Sequence, residues 1–132
     1  MGTVINAYSK QRHGNKALSK NFKAREFACK DGSDTFFVAP KLVTILQKIR
    51  DHFGKPVTIN SAYRNDTYNK KVGGEKDSQH LYGKAADIAI KGVDPKTVAA
   101  YAEKLLSNTG GIGIYDTFVH IDVRSEKARW NG

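Results

Sequence analysis

A carboxylate inside an apolar segment constrains the fold of this chain more than any other feature of its sequence. Residues 85–90 read Ala-Ala-Asp-Ile-Ala-Ile, a run that predicts a buried strand, and Asp87 stands inside it. Burying a carboxylate is costly unless it is paired with a cation or bound to a metal ion. The fold must therefore bring a positive charge or a metal to Asp87.

A histidine upstream can meet Asp87 only if the chain folds back between them. In an extended chain the segment from His80 to Asp87 would span about 23 Å. Gly83 lies within this segment, and glycine accepts the backbone angles that a sharp turn needs. The sequence therefore permits His80 and Asp87 to reach one site.

A second histidine interrupts another strand-like segment, residues 118–124, which read Phe-Val-His-Ile-Asp-Val-Arg. Because side chains alternate along a strand, His120 and Asp122 share the face opposite to the apolar Val119 and Ile121. Two histidines and one carboxylate would leave an open position on a tetrahedral zinc ion, as in catalytic zinc sites. From spacing alone, a histidine on a strand is more often an ordinary core or surface residue, so both interpretations stay open here.

The rest of the pattern predicts a small α+β domain. Apolar periodicity predicts one helix from Pro40 to Gly54 and a second after Asp94 that buries Val98, Ala102 and Leu105. A shorter helix, with Phe22 and Phe27 in the core, is expected within 19–29. Strands are expected at 56–60, 85–90, 112–115 and 118–123. We expect a mixed or antiparallel sheet with helices on one side and the site in a cleft. An N-terminal arm is expected over 1–18, and the domain over 19–132.

Composition and charge exclude some classes of protein and leave others. The chain has 132 residues and a single cysteine, Cys29, which rules out an internal disulfide and a cysteine-based zinc finger. Its net charge of +9 suits an anionic partner such as nucleic acid, a membrane surface or cell-wall polymer. Neither a membrane-spanning apolar run nor an apolar leader segment is found in the sequence, so we expect no membrane association.

Several motifs in order resemble those of the M15 metallopeptidase family, closest to its zinc D-alanyl-D-alanine carboxypeptidase branch. They are Ser61-Ala62-Tyr63-Arg64, Tyr68-Asn69, Val72-Gly73-Gly74, Ser78-x-His80-x-x-Gly83-x-Ala85-Ala86-Asp87, Gly111-Ile112-Gly113 and Phe118-Val119-His120-Ile121-Asp122. The likeness covers roughly residues 19–130. It implies the fold that these peptidases share with hedgehog signalling domains.

The resemblance also implies roles for particular residues. His80, Asp87 and His120 match the ligands of one zinc ion per chain. Arg64 matches an arginine that stabilises the oxyanion of the scissile carbonyl or holds the carboxylate of the substrate. Ser78 and Tyr115 are expected to contact the substrate, although Ser78 could instead stabilise a turn.

At the positions where many relatives carry the general base, this chain differs from the family pattern. Many relatives carry Glu or His two or three residues before the last zinc ligand, where this chain has Phe118 and Thr117. Asp122 is the predicted replacement because it shares the strand face of His120. Two alternatives stay open: Asp122 could orient an imidazole instead, and Asp116 could serve as the base.

The resulting expectation is a zinc peptidase that cuts the peptide stems of bacterial peptidoglycan, as a carboxypeptidase or as a cross-bridge endopeptidase. We expect a monomer that acts at the cell wall, with anionic wall polymer as a further partner. The absence of a signal segment favours a phage lysin or an excised domain. Two alternatives remain: a non-catalytic zinc domain that binds cell wall or a protein partner, as hedgehog domains do, and a nucleic-acid binder supported by charge alone.

Overall fold

The structure is a computed structural model that describes residues 3–132, so Met1 and Gly2 of the expected arm lie outside the described residues. Its strands are β1 (Asn6–Ser9), β2 (Ala17–Ser19), β3 (Phe22–Lys23), β4 (Thr35–Val38), β5 (Thr58–Ser61), β6 (Ala85–Ala89), β7 (Gly111–Ile114), β8 (Val119–Asp122) and β9 (Ala128–Asn131). Its α-helices are α1 (Lys10–His13), α2 (Pro40–Phe53), α3 (Asp66–Lys71) and α4 (Pro95–Leu106), and two 3₁₀ helices span Ala24–Phe27 and Gln79–Tyr82.

A five-stranded sheet in the order β5-β6-β8-β7-β9 forms the frame of the domain. All of its pairings are antiparallel except that of β7 with β9, which is parallel. Strands β1 and β4 form a separate two-stranded sheet, as do β2 and β3. The predicted α+β class is confirmed. No helix within residues 3–132 is long and apolar enough to cross a membrane.

Helix α2 forms as its sequence predicts. Pro40 occupies its first turn, and Gly54, with φ of 64°, takes the left-handed conformation that ends a helix. Four residues of the predicted apolar stripe are buried in the core, namely Leu42, Ile45, Leu46 and Ile49, whereas the fifth, Phe53, is only partly buried. This helix supplies much of the hydrophobic support on which the rest of the domain packs.

Helix α4 covers the sheet behind the site. The Asp94 side chain accepts a hydrogen bond from the Lys96 backbone N–H, so Asp94 is the cap that the sequence predicts. The helix packs against β7, β8 and α2. Val98 and Ala102 are buried as predicted, but Leu105 is only partly buried and Leu106 fills the core, because it continues the four-residue spacing of that stripe.

Two segments differ from their sequence-based predictions. The helix expected within 19–29 is replaced by β3 and a single 3₁₀ turn, whose start is held by Glu26 accepting a hydrogen bond from the Lys23 N–H. Phe22 and Phe27 are nevertheless in the core, as expected. Strand β9 was not predicted at all. The expected arm contributes β1, which pairs with β4, and the boundary between arm and domain stays a prediction.

Candidate metal centre

The candidate site is built on one row of residues that runs across the five-stranded sheet. Asp87 on β6 is the register partner of His120 on β8, which in turn faces Gly113 on β7. Gly113 then pairs with Trp130 on β9. Directly opposed residues place their side chains on the same face of a sheet. The row therefore presents a carboxylate, an imidazole and an indole side by side.

His80 reaches this row through the fold-back that the sequence predicts. The 3₁₀ helix Gln79–Tyr82 begins where the Ser78 hydroxyl accepts a hydrogen bond from the His80 N–H at 3.2 Å. It ends at Gly83, which has φ of 71° and lies so close to the Phe37 carbonyl that any Cβ would overlap it. The glycine is thus required both for its backbone angle and for this close approach.

The three predicted ligands converge on one point. Asp87 Oδ1 lies 3.2 Å from His80 Nε2 and 3.0 Å from His120 Nδ1. One potential ligand atom from each residue lies within 4.8 Å of the other two, and all three residues are buried. This spacing allows the three side chains to bind a single ion.

The outer nitrogen of each imidazole has a fixed acceptor. His80 Nδ1 lies 2.6 Å from the Ala62 carbonyl oxygen, and His120 Nε2 lies 2.8 Å from Asp122 Oδ2. Each outer nitrogen therefore carries the hydrogen, and the inner nitrogen of a neutral ring turns its lone pair towards Asp87. Ligand histidines in metalloproteins are held in the same way. Lone pairs that converge on a carboxylate require a cation between them, so these residues fit a zinc ion with an open position.

Hydrogen bonds among these residues also shift the pKa values of Asp87 and His120 in the metal-free site. Burial raises the pKa of Asp87, but hydrogen bonds with His120 and His80 lower it by more, so the net pKa is well below the usual range. For His120, burial lowers the pKa, and the hydrogen bonds with Asp122 and Asp87 more than reverse this effect. Without a metal, His120 therefore binds a proton more readily than a free imidazole, because the carboxylates of Asp87 and Asp122 flank its ring.

Asp122, the predicted general base, contacts Nε2 of His120, whereas Asp87 contacts Nδ1 of the same ring. Its side chain is fully buried, at 0% exposure. Oδ2 is bound to His120 and to Arg124 Nη2, while Oδ1 accepts hydrogen bonds from the Arg124 backbone N–H and Nε. Burial raises the pKa of Asp122, but the contacts with His120 and Arg124 lower it by a larger amount, so the net pKa is well below its usual range. This position suits the alternative of a carboxylate that orients an imidazole.

Arg64 lies on the other flank of Asp87. Its Nη2 donates to Asp87 Oδ2 at 3.3 Å, its Nε to Ser61 Oγ at 3.1 Å, and its Nη1 to Asn69 Oδ1 at 3.2 Å. Asn69 is buried and also donates from Nδ2 to the Glu75 carbonyl. Asn69 has no predicted role from the sequence, although it lies within one of the quoted motifs.

The three candidate ligands and Arg64 line a cleft of about 260 Å³. Ser78 and Tyr115, the residues predicted to contact substrate, both line it together with Phe118. Glu75 also lines the cleft and was not singled out in the sequence. Asp116, the alternative base, instead lines a neighbouring pocket with Asp94. The cleft thus joins the candidate ligands to both predicted substrate-contacting residues.

Trp130 is the residue at this site that sequence analysis missed most completely. Its ring centroid lies 5.1 Å from that of His120, and its Nε1 donates to the Tyr115 hydroxyl at 2.9 Å. A Cβ at Gly113 would overlap the indole, so the glycine makes the space that Trp130 fills. The alternation of apolar and polar residues over 128–131 was the signal that could have identified this strand.

Two comparisons with known proteins show what this chain is similar to. The sequence profile of the family described as Peptidase M15 matches residues 19–122. A zinc D-Ala-D-Ala carboxypeptidase from Streptomyces albus G is 47% identical over 53 residues, which are 38% of this chain. The matched stretch spans 21% of the length of that relative.

Proposed function

Since the chain belongs to the peptidase M15 family, we propose that it is a zinc-dependent peptidase that hydrolyses the peptide stems of bacterial peptidoglycan. The convergence of two imidazole nitrogens on Asp87 Oδ1 inside a cleft carries this proposal. The name of the Streptomyces relative supports a substrate that ends in D-Ala-D-Ala. The site of action would then be the cell wall, and the net charge of +9 suits anionic wall polymer.

His80, Asp87 and His120 would hold one zinc ion. When bound, zinc polarises the scissile carbonyl and makes a coordinated water more acidic. The protein fixes the two histidine rings through the Ala62 carbonyl and the Asp122 carboxylate. With both outer nitrogens engaged, neither ring can rotate without losing a buried hydrogen bond, so the ligand atoms stay aimed at one point.

Arg64 would bind an oxygen of the substrate. A guanidinium has five N–H donors in a planar fork, and in this chain three of them are used by Ser61, Asn69 and Asp87. The remaining donors can point into the cleft that Arg64 lines. The target would be the oxyanion that develops at the scissile carbonyl or the terminal carboxylate of the peptide.

Asp122 would act as a positioning residue instead of the general base. Both of its oxygens are already occupied, and His120 lies between it and Asp87. It holds the hydrogen of His120 on Nε2 and keeps Nδ1 free for the ion. Ser78 contributes by starting the turn that carries His80, and its place on the cleft wall also allows contact with substrate.

Mass spectrometry of cell-wall peptides after incubation with the purified protein tests this function. We expect release of terminal D-alanine, cleavage of cross-links, or both, and loss of these products in His80→Ala and His120→Ala. His52→Ala is the matched control, because that ring stacks on Tyr101 outside the cleft. Zinc retention without turnover on any wall peptide would contradict the proposal and favour a non-catalytic binding domain.

A further inference from the structure

The cleft has two chemically different flanks. Arg64 follows β5, at one edge of the sheet, whereas Trp130 lies on β9, at the other edge. On the second flank the rings of Tyr115 and Phe118 stack with centroids 4.5 Å apart and planes 5° apart, and both residues line the cleft. A peptide bound over the candidate ligands would therefore lie between a cation and an aromatic wall.

The hydrogen bond between Trp130 and Tyr115 determines the direction of the tyrosine hydroxyl. An indole N–H can only donate, so the Tyr115 oxygen must accept at the observed distance of 2.9 Å. The hydroxyl keeps its own hydrogen. Among the hydrogen bonds of residues 3–132, the hydroxyl takes part only in this one, as the acceptor. Because Tyr115 lines both the cleft and the neighbouring pocket, this hydrogen is available to a molecule that binds there.

We propose that Tyr115 donates this hydrogen to a carbonyl or carboxylate oxygen of the bound peptide, and that Trp130 is the positioning residue that orients it. The proposal rests on the proposed peptidase function and extends it to a second substrate contact opposite Arg64. It assigns a role to β9, the strand of the five-stranded sheet that the family motifs do not include.

Trp130 is itself held by the candidate metal centre. Its indole packs on His120 and lies beneath the Arg124 guanidinium, 5.5 Å from the ring centroid. Arg124 in turn binds Asp122, which also holds His120. The same cluster thus positions a candidate zinc ligand and the tyrosine hydroxyl, so the reacting bond and the peptide contact keep a fixed separation.

Two conservative substitutions and their combination test this role in the zinc-loaded protein. Tyr115→Phe removes the hydroxyl but keeps the ring stacked on Phe118. Trp130→Phe removes the N–H donor but keeps an aromatic ring against His120. The measurements are kcat/KM on a synthetic peptide ending in D-Ala-D-Ala, the Kd of its hydrolysis product by calorimetry, and the zinc content. Tyr101→Phe is the control, since its ring stacks on His52 outside the cleft.

We expect each single variant to lose about three- to tenfold in kcat/KM and in product affinity, the range of one hydrogen bond. The loss of kcat/KM in the double variant should not exceed that in the more impaired single variant, because both changes remove the same interaction. Zinc content should match wild type. A purely structural role for Trp130 would instead lower zinc content and add to the effect of Tyr115→Phe, and would overturn the proposal.

The outcomes separate this proposal from the function on which it rests. Hydrolysis by wild type together with unchanged constants in Tyr115→Phe would overturn the tyrosine role alone. A wild-type protein that hydrolyses no D-Ala-D-Ala peptide would overturn the proposed function, and the tyrosine role would fall with it.

Discussion

Asp87 and His120 face each other directly across β6 and β8, and the contact between Asp87 Oδ1 and His120 Nδ1 measures 3.0 Å. Two of the three candidate ligands are therefore set by strand register and do not depend on the conformation of a loop. A one-residue slip of either strand would turn one of them to the opposite face. The third ligand, His80, is fixed by the turn at Gly83.

Asp122→Asn tests whether this residue positions His120 or acts as the base. We expect zinc affinity to fall about 10- to 100-fold, because the outer nitrogen of His120 loses its charged acceptor. Activity should return towards the wild-type value when zinc is saturating. Zinc titration followed by kinetics measures both quantities. Full zinc occupancy without activity would instead identify Asp122 as the proton acceptor.

Arg64→Lys tests whether the planar guanidinium of Arg64 binds an oxygen of the substrate. Lysine keeps the charge but cannot bind Ser61, Asn69, Asp87 and a substrate oxygen together. We expect kcat to fall about 100-fold, as for the loss of an oxyanion donor. Zinc content should stay near that of wild type. Lys55→Ala, at an exposed position, serves as a control, and equal activity of Arg64→Lys and wild type would refute this role.

Gly113→Ala tests the close packing of Trp130 in the cross-strand row. A methyl group there would overlap the indole and displace it from His120. We expect the free energy of unfolding to fall by about 1–3 kcal/mol, the usual cost of overpacking. Because Trp130 is the single tryptophan, its emission should also shift to longer wavelength. Unchanged emission and an unchanged urea midpoint would show that the row tolerates a side chain.

The metal-free protein should have an unusual dependence of stability on pH. The pKa of His120 is raised from 6.5, so its contribution is present below about that pH and is lost as the pH rises. The pKa values of Asp87 and Asp122 are lowered from 3.8, so their contributions are lost as the pH falls below that value. Urea unfolding in EDTA should therefore show greatest stability between these limits.

Zinc should reverse the first of these trends. Because protons compete with the ion for the histidine nitrogens, the zinc-loaded protein should gain stability as the pH rises through the range in which His120 titrates. Comparing urea midpoints with and without zinc at about pH 6 and about pH 8 tests the sign. The same slope in both forms would mean that the ion does not bind these histidines.

The sequence alone predicted those parts of the fold in which local signals and tertiary packing agree. Pro40, Gly54 and the apolar stripe between them predicted α2 correctly, and Asp94 with Pro95 predicted the start of α4. The apolar run around Asp87 predicted β6. In each case a cap or a periodic pattern lies within the element itself.

What could not be predicted depends on contacts between distant segments. The pairing of β9 with β7 is parallel, and no local pattern in either segment encodes it. The occupation of Asp122 by both His120 and Arg124 likewise appears only when β8 is paired and side-chain directions are known. The family motifs predicted which residues belong to the site, but not which of them face the cleft.

The zinc content of purified protein, measured by elemental analysis, tests the central claim that His80, Asp87 and His120 hold one ion. We predict about one zinc per chain in wild type and in His52→Ala, and little zinc in Asp87→Asn and His120→Ala. Circular dichroism should show that the variants are folded. One zinc per chain retained by a folded Asp87→Asn or His120→Ala variant would contradict the claim.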